Sequence, residues 1–464
     1  MMETTEQVMP SETMRQPVRR PEGEAGREPT ARGRESAARA LAMSAGPGVA
    51  RRLAARFALV AFGLYHLPLM LNNYPSLGGG GASDHGLAVS WGHVFGQVGL
   101  WVARHIFQYT ADMPYALSGD NGDTVEEYCR LLVAVVVAIV VSVTWTAADR
   151  RRPRARWVEG ALHVMLRYSI ALGLASYALA KLYPVQFWPL SPSGLDLRVG
   201  ELDPMGLAWA FMKYSRAYSL IAGILEILVV ALLCFRRTAL LGALLCVPVM
   251  LNVMLMNLCY GVIVKLYATI TVVSALVLVL YEARRLADLL VWHRDVPARP
   301  IMPPFQSQRL NRARWVIKAL VVGSVLWSCV AYMSATAADY DAGERTPLWG
   351  MWDVTSIAVD GRELGQTGAP ARWRRMTTGL RGISIRFEDD RRVFCLRGGD
   401  EAARTLTLTC SETHQEGELH WTREGRSLRL EGMFDRHRVS VSLTLRDTAE
   451  LPLKRDPFRW TMDG

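Results

Sequence analysis

The chain has 464 residues, of which 50% are hydrophobic and 21% are charged, and its formal net charge is +10. This apolar fraction is too high for an ordinary soluble protein with so much charge, unless the charged residues are segregated. They are segregated in the apolar part of the chain, because the arginines before residue 336 lie mostly in the N-terminal tail and in connections between the apolar runs. The composition predicts a protein whose partner is the lipid bilayer, and it argues against nucleic-acid binding, since no recognition motif surrounds those arginines.

The first 50 residues are rich in Arg, Glu, Pro, Gly and Ala and show no apolar periodicity. Such a composition buries too little apolar surface to offset the entropy of ordering, so we expect a disordered basic tail over 1–50. The stretch MSAGPGVARRLAARFALV begins at Met43, which leaves the start of the chain open between Met1 and Met43. The first apolar run is too long and begins too late for a cleaved signal peptide, so we expect it to remain as an anchor.

Seven apolar runs are long enough to cross a hydrocarbon core, which takes about 20 residues. They lie near 53–71, 131–147, 161–183, 217–235, 238–258, 262–281 and 315–335. We divide this part of the chain into two helices with a long connection (51–160), a four-helix unit (161–290), and a linker with a seventh helix (291–335). The predicted fold class is an α-helical polytopic membrane bundle followed by a small all-β domain.

Arginine clusters alternate between the connections and predict an orientation. The basic clusters flank the first run or follow the second, fourth and sixth runs, and they comprise Arg51, Arg52, Arg56, Arg150, Arg151, Arg152, Arg154, Arg156, Arg236, Arg237, Arg284 and Arg285. Because cytoplasmic connections are enriched in Arg and Lys, the N-terminus is predicted to be cytoplasmic and the residues after 335 to be outside.

The long connection 72–130 contains the stretch VSWGHVFGQVGLWVARHIF, from Val89 to Phe107. Its apolar residues recur on one helical face, which predicts an amphipathic helix lying at the outer membrane interface. Three histidines lie in this connection, at His85, His93 and His105, without Cys or carboxylate spacing for a closed metal site. We therefore predict interfacial histidines and no metal site.

The segment 336–464 alternates apolar and polar residues between turn signals, a pattern typical of short antiparallel strands. It predicts an extracytoplasmic β domain built as a meander, either a barrel or a sandwich. GMFDRH, beginning at Gly432, has the spacing of a hairpin. Cys395 and Cys410 fall on neighbouring predicted strands, and the sequence leaves open whether they form a disulfide or remain two buried thiols.

Ionisable residues within apolar runs are costly, so each is expected to pair or to serve a function. Arg167 lies about one and a half turns above the inner end of its run, and Glu226 about two and a half turns above the inner end of another. Long side chains can bridge this difference. We therefore predict an intramembrane ion pair between Arg167 and Glu226, in which each charge offsets the desolvation of the other.

A second polar group clusters towards the outer ends of the runs. We predict an outward-facing pocket for a small polar headgroup such as a quinone carbonyl, which amide and ammonium donors suit, lined by Tyr177, Lys181, Asn257, Lys265 and also Glu226. The alternatives are that the asparagines at 252 and 257 are hydrogen-bonded between helices and that the lysines reach to the interface.

Three stretches together resemble the four-helix unit of the DoxX family of bacterial membrane proteins. They are RYSIALGLASYALAKLYP, MGLAWAFMKYSRAYSLIAGILEILVVALLCFRRTALLGALL and NVMLMNLCYGVIVKLY, and the resemblance covers about 161–290. GDNGDTVEEYCRLL before the second run and the outer β domain are similar to longer members of that family. The matching features are an early arginine, a G-x-x-x-Y-x-x-x-K helix end and a G-x-x-E helix, at Arg167, Gly173, Tyr177, Lys181, Gly223 and Glu226.

The resemblance implies a bacterial inner-membrane protein. Some DoxX members are subunits of a thiosulfate:quinone oxidoreductase, others associate with thiol and oxidative-stress systems, and a eukaryotic relative assists receptor assembly. The sequence shows no CxxC, haem-ligand or nucleotide-binding motif, so no cofactor is identified beyond a quinone. We therefore expect a non-catalytic membrane or assembly subunit with membrane redox or assembly partner proteins. The alternative is a quinone-proximal subunit of an oxidoreductase.

Overall fold

The structure is a computed structural model, and it describes residues 48–72, 87–109, 123–149, 156–297, 307–365, 372–380, 382–410 and 414–455. The side chains of 68–72, 87–95, Arg156 and Arg455 are outside this description. The predictions for the tail before residue 48, for His85 and His93, and for the arginines between 150 and 156 lie outside the described residues and side chains.

Eleven helices of the described chain precede the β domain. They are α1 (Val49–Asn72), α2 (Leu87–His105), α3 (Val125–Ala148), α4 (Arg156–Leu182), the short α5 (Pro192–Leu195), α6 (Pro204–Tyr214), α7 (Arg216–Cys234), α8 (Ala239–Cys259), α9 (Lys265–Leu280), α10 (Ala283–Leu290) and α11 (Gln308–Glu344). A 3-10 turn at Val199–Glu201 lies between α5 and α6.

Five of these helices are long and apolar enough to cross a membrane, namely α3, α4, α7, α8 and α11. A sixth is counted if α9 and α10, bent by 67° at a short break, form one span. Seven spans were predicted. The first predicted run forms α1, but α1, judged by its described residues, is not one of these five or six candidate spans. The structure thus supports several apolar spans without supporting the full number.

Helix α4 lies at the centre of the helical part. One side of α4 packs with α7, α8 and α9 around a core that includes Leu166, Ile170, Val229, Met250 and Val272. Its other side packs against α11 through the cluster formed by Leu172, Leu179, Ala180, Val325, Cys329 and Met333. Because α4 is buried on both sides, the polar side chains along it face other helices.

Capping residues fix where several helices begin. The side chain before each of three helices accepts a hydrogen bond from a backbone N–H in the first turn of that helix. These side chains are Thr124 for α3, Asp203 for α6 and Ser215 for α7. These contacts satisfy amides that have no partner inside the helix. Helix α6 lies within the connection between α4 and α7, so this stretch is a folded element of the protein.

Helix α11 has 37 residues and continues past the predicted domain boundary at 336. At a rise of about 1.5 Å per residue it is about 55 Å long, well beyond a hydrocarbon core of about 30 Å. Residues 336–344, expected to belong to the β domain, are therefore helical. The first strand begins only at Met351.

The C-terminal domain is a closed antiparallel barrel, which confirms the predicted β domain. Its strands are β1 (Met351–Val359), β2 (Arg362–Glu363), β3 (Trp373–Thr378), β4 (Gly382–Phe387), β5 (Arg392–Gly398), β6 (Thr405–Cys410), β7 (Gln415–Glu424), β8 (Ser427–Phe434) and β9 (His437–Leu445). Neighbours pair in sequence order from β3 to β9, β1 pairs with β3, and a β1–β9 pairing closes the barrel. A short helix, α12 (Pro452–Arg455), follows.

Alternate side chains fill the barrel interior, as the period-two pattern requires. Trp352, Met376, Ile385 and Leu430 are among its fully buried residues. The predicted hairpin is confirmed, because β8 and β9 join through a two-residue turn in which Asp435 and its neighbour have positive φ.

Cys395 and Cys410 are opposite each other on β5 and β6, and they form a disulfide bond. Both lie in the interior of the barrel, with the rest of its apolar core around them. The sequence had left this pairing open against two buried thiols.

Candidate functional site

A cavity of about 360 Å³ lies within the helical part, between α4, α6, α7, α8 and the start of α9. Its wall is mainly apolar, with a few polar side chains converging from different helices. Cavities of about 300–1,000 Å³ with this character are typical ligand sites. The side chains that give it chemical character are Tyr177, Lys181, Gln186, Trp209, Tyr218, Glu226, Asn252, Asn257 and Tyr267.

Two glycines let the helices around the cavity approach closely. A Cβ on Gly223 of α7 would lie 3.0 Å from Cβ of Lys181 and 3.2 Å from the carbonyl oxygen of Ala178, so α4 and α7 are nearly in backbone contact. A Cβ on Gly173 would lie 2.2 Å from the Tyr267 hydroxyl oxygen, so Tyr267 occupies the space that a larger residue would take. Both glycines therefore serve packing.

Gly173, Tyr177 and Lys181 are spaced four residues apart and share one face of α4. Along that face the Tyr267 ring stacks on the Tyr177 ring, with centroids 5.3 Å apart. The Lys181 ammonium lies 5.9 Å from the centroids of the Tyr177 and Phe187 rings. The face of α4 that meets the cavity is thus aromatic in its middle and cationic at its end.

Lys181 and Glu226 form a buried ion pair in the cavity wall. Nζ of Lys181 donates to Oε2 of Glu226 at 3.0 Å, and the two side chains are only 7% and 3% exposed. Nζ has three N–H bonds, and among the residues that the structure describes Glu226 supplies its hydrogen-bond acceptor. The pair is neutral overall and leaves N–H donors at the cavity.

The predicted ion pair between Arg167 and Glu226 is wrong. Arg167 instead donates from Nε and Nη2 to the carbonyl oxygen of Leu233, at 2.9 and 2.6 Å. Leu233 lies seven residues beyond Glu226, about 10 Å further along the helix axis. The antiparallel register of α4 and α7 therefore places Arg167 opposite the last turn of α7, whose carbonyls have no partner inside the helix.

The other predicted pocket residues divide into two groups. Asn257 is buried at the cavity, where its Nδ2 donates to the carbonyl oxygen of Val264 at 3.3 Å, and Asn252 lines the same cavity from an exposed position on α8. Lys265 does not line the cavity. Its Nζ and its backbone N–H bind the carboxylate of Asp123, at 3.3 and 2.8 Å. The structure therefore brings four of the predicted pocket residues together at the cavity, namely Tyr177, Lys181, Glu226 and Asn257. It places Lys265 elsewhere.

Sequence reasoning missed the residues that cover the cavity. Phe187, Trp209 and Met212 come from the connection between α4 and α7, and Tyr267 comes from the first turn of α9. The apolar run PMGLAWAFMKY after the capping Asp203 was the available signal for a helix in this connection. The sequence alone did not show that this helix would pack over the cavity, so the signal did not indicate a ligand site.

The exposed residues of the cavity wall all belong to α7 and α8. They are Tyr218, Ile221, Leu225, Pro248 and Asn252. Pro248 lies inside α8, and its missing N–H leaves the carbonyl of the preceding turn without its usual helical partner. The cavity therefore opens sideways, between two apolar helices.

The connection above the cavity is also joined to the barrel. Arg386 of β4 donates from Nε to Oδ2 of Asp196 at 2.9 Å, and from Nη1 and Nη2 to the two oxygens of Glu201 at 2.6 and 2.8 Å. Arg375 binds Asp196 and Asp353, each at 2.6 Å. Hydrogen bonding from Arg386 lowers the pKa of Glu201 to about 2.

A second contact ties the same connection to the end of α11. The indole N–H of Trp188 donates to Glu344 at 3.1 Å, and the Trp188 ring packs against Tyr340, with centroids 4.4 Å apart. The cover of the cavity, the barrel and the long helix thus form one contact network.

Comparisons with known proteins show a sequence similarity to one uncharacterized bacterial protein. No family model matches the chain, and no solved structure matches it. A stretch of 128 residues is 33% identical to the uncharacterized protein YwoB of Bacillus subtilis (strain 168). The match covers 28% of this chain and 81% of YwoB. The chain therefore belongs to the same family as YwoB.

Proposed function

We propose that the protein is a DoxX-like integral membrane protein that acts as a non-catalytic binding and assembly subunit. Its helical cavity takes the polar head of a lipophilic carbonyl compound of the quinone class, and its β barrel is the interaction domain. The observation that carries the proposal is the Lys181–Glu226 pair in the wall of a mainly apolar cavity that opens between α7 and α8.

The chemistry of the wall favours an uncharged acceptor. The ion pair is neutral, so a charged headgroup would meet no compensating charge there. The remaining N–H donors of Lys181 suit a carbonyl oxygen, and the aromatic rings of Tyr177, Trp209 and Tyr267 suit a flat ring. A sideways mouth between apolar helices suits a ligand that arrives through the bilayer rather than from water.

The pairing of polar groups supports a binding role over a role next to a redox centre. A quinone-proximal oxidoreductase subunit would have both Glu226 and Lys265 at one cavity, and Lys265 instead binds Asp123. Glu226 lines the cavity but is bound to Lys181. The described residues therefore support the binding and assembly role more strongly than the alternative.

The proposed orientation places the N-terminus in the cytoplasm and the barrel outside the inner membrane. The arginines of the connection after α7 and of α10 lie at the end of the helical part opposite to the barrel. A reporter fused after Gly464 should behave as extracytoplasmic, and one fused after Arg237 as cytoplasmic. Finding both reporters on one side would contradict the orientation.

Fluorescence provides a direct test of the cavity, because quinones quench nearby indoles and Trp209 is in the wall. The detergent-purified full chain is titrated with a short-chain benzoquinone. We expect saturable quenching that is weakened at least tenfold in the double variant Lys181→Met with Glu226→Leu, which removes both charges together. Lys265→Met is the matched control and should bind as the parent does. Equal affinity in all three proteins would overturn the proposal.

A further inference from the structure

A second cavity, of about 660 Å³, lies at the end of the helical part opposite to the barrel. Its wall comes from the start of α4, the turn between α7 and α8, the start of α8, and the junction of α9 and α10. The quinone-class ligand proposed above does not involve this cavity. Its wall has a different chemical character.

The wall is strongly basic. It carries four guanidinium groups, on Arg167, Arg236, Arg237 and Arg285. It also contains two carboxylates, and each already has a cationic partner. Glu159 accepts from Arg51 at 2.8 Å, and Glu282 from Arg285 at 3.0 Å.

Arg167 is the unusual member of this group, because its residue is 98% buried, with 2% exposed. Its two described hydrogen bonds go to the neutral carbonyl of Leu233, and no carboxylate lies within ion-pairing distance of it in the described part of the chain. Carrying a buried charge without a counter-charge is costly. An anion in the cavity would supply that counter-charge.

The start of α8 adds a second anion-binding feature. Thr238, at the N-cap position, makes no capping hydrogen bond and donates its hydroxyl to the carbonyl of Leu232 at 2.7 Å. Ala239 and Leu240, the first residues of α8, line the cavity. Uncapped N–H groups and the positive end of the helix dipole favour a phosphate at such a position.

We propose that this cavity binds the phosphate of an anionic phospholipid headgroup, held by Arg167, Arg237 and the start of α8. The proposal rests on the membrane placement proposed above. A lipid rather than free phosphate is favoured because Val164 lines the same cavity and is 51% exposed, so the wall continues onto the apolar outside of α4. Basic pockets between helices on the cytoplasmic side are suited to such headgroups.

The test compares lipids and variants on the intact, detergent-purified chain. Native mass spectrometry measures retention of phosphatidylglycerol against phosphatidylcholine of the same acyl chains. We expect preferential retention of phosphatidylglycerol, and Arg237→Gln should weaken it about fivefold. Arg237 is exposed, so this change should leave folding intact. Arg284→Gln is the matched control, because Arg284 is exposed, lies at the same end and does not line the cavity.

Three results would overturn the proposal. Equal retention of the two lipids would remove the selectivity for an anionic headgroup. An equal loss in Arg284→Gln would show a general effect of charge at this end rather than a site. If inorganic phosphate stabilised the protein in an Arg237-dependent way while phosphatidylglycerol gave no added effect, the site would be one for a free anion.

Discussion

Two clusters of buried charge lie on either side of the connection between α4 and α7, and they are built differently. In the cluster on the barrel, Arg386 makes five hydrogen bonds, to Asp196, Glu201 and the backbone of Asp390. In the helical cluster, the Lys181 ammonium makes one hydrogen bond within the described part of the chain, to Glu226. Arg386 and Asp196 are as deeply buried as Lys181 and Glu226, whereas Glu201 at the edge of the barrel cluster is exposed. The two buried cations therefore differ in how many of their N–H groups have a partner.

A fully satisfied network fixes geometry, whereas a partly satisfied one has capacity left for a ligand. The planar guanidinium of Arg386 matches two carboxylates at once, which a lysine at that position could not do. Lys181 has donors left, and they face a cavity. We therefore interpret the barrel cluster as the structural joint between barrel and helices, and the helical cluster as part of the proposed binding site.

The largest effect is expected from Arg386→Met. Removing the guanidinium leaves the buried carboxylate of Asp196 and that of Glu201 without their main partner, which should cost about 3–5 kcal/mol. Hydrogen exchange of the β3 and β4 amides should accelerate accordingly, because the connection no longer holds these strands. Arg391→Met is the control, since Arg391 is exposed and its ion pair with Asp389 is long, at 3.9 Å. Equal exchange in both variants would contradict the role of the joint.

The helical pair should show a smaller loss that can be recovered. Glu226→Gln leaves the Lys181 ammonium buried without a counter-charge, and we expect a loss of about 3 kcal/mol in the free energy of unfolding. Lys181→Met combined with Glu226→Leu should recover much of it, because no charge stays buried. Thermal unfolding in detergent measures both. Losses that simply add in the double variant would show that the two residues do not interact.

Acid should weaken the barrel joint through Glu201. Its pKa in the folded protein is about 2, below the ordinary value of 4.5, because Arg386 donates to it. The carboxylate therefore stabilises the folded state above about pH 4.5, and this contribution is lost as the pH falls towards 2. Because Glu201 is exposed and its ion pair is screened by solvent, Glu201→Gln should cost no more than about 1 kcal/mol at neutral pH and should flatten the acid limb of the stability curve. An unchanged acid limb would rule this role out.

The smallest losses of stability are expected at Asp123 and Lys265, and they should differ between the two residues. Asp123 accepts from the backbone N–H groups of Lys265 and Leu266, at 2.8 and 2.9 Å, and so caps α9. Asp123→Ala should cost about 1 kcal/mol, as the loss of a cap does. Lys265→Met should cost less than about 0.5 kcal/mol, because its contact is long and partly exposed. Thermal unfolding measures both losses. A larger loss of stability in Lys265→Met than in Asp123→Ala would contradict these roles.

Much of the fold is readable from periodicity. The period-two pattern within 336–464 predicted the β domain, whose strands run from Met351 to Leu445, and its β8–β9 hairpin, and the apolar runs predicted most of the long helices. Part of the site is also readable, because Tyr177 and Lys181 are one helical turn apart and must share a face. These features depend on neighbours along the chain, which the sequence contains directly.

The failures concern contacts between segments far apart in the chain. Depth along each run suggested that Arg167 could reach Glu226, but the register of two packed helices depends on close approach at Gly223, which depth does not reveal. Lys265 was placed in the pocket because Asp123, 142 residues earlier, gave no signal as its partner. The connection above the cavity was likewise a folded cover that its length alone did not indicate.

The joint at Arg386 has a mechanical consequence for the barrel. A domain attached only through α11 could swing and rotate about that single linkage. The bonds from Arg386 to Asp196 and Glu201, together with Trp188 on Glu344, add attachment points away from the helix axis. They restrict those rotations and fix the orientation of the barrel relative to the helices, so a tilt of α11 must move the residues that cover the cavity with it.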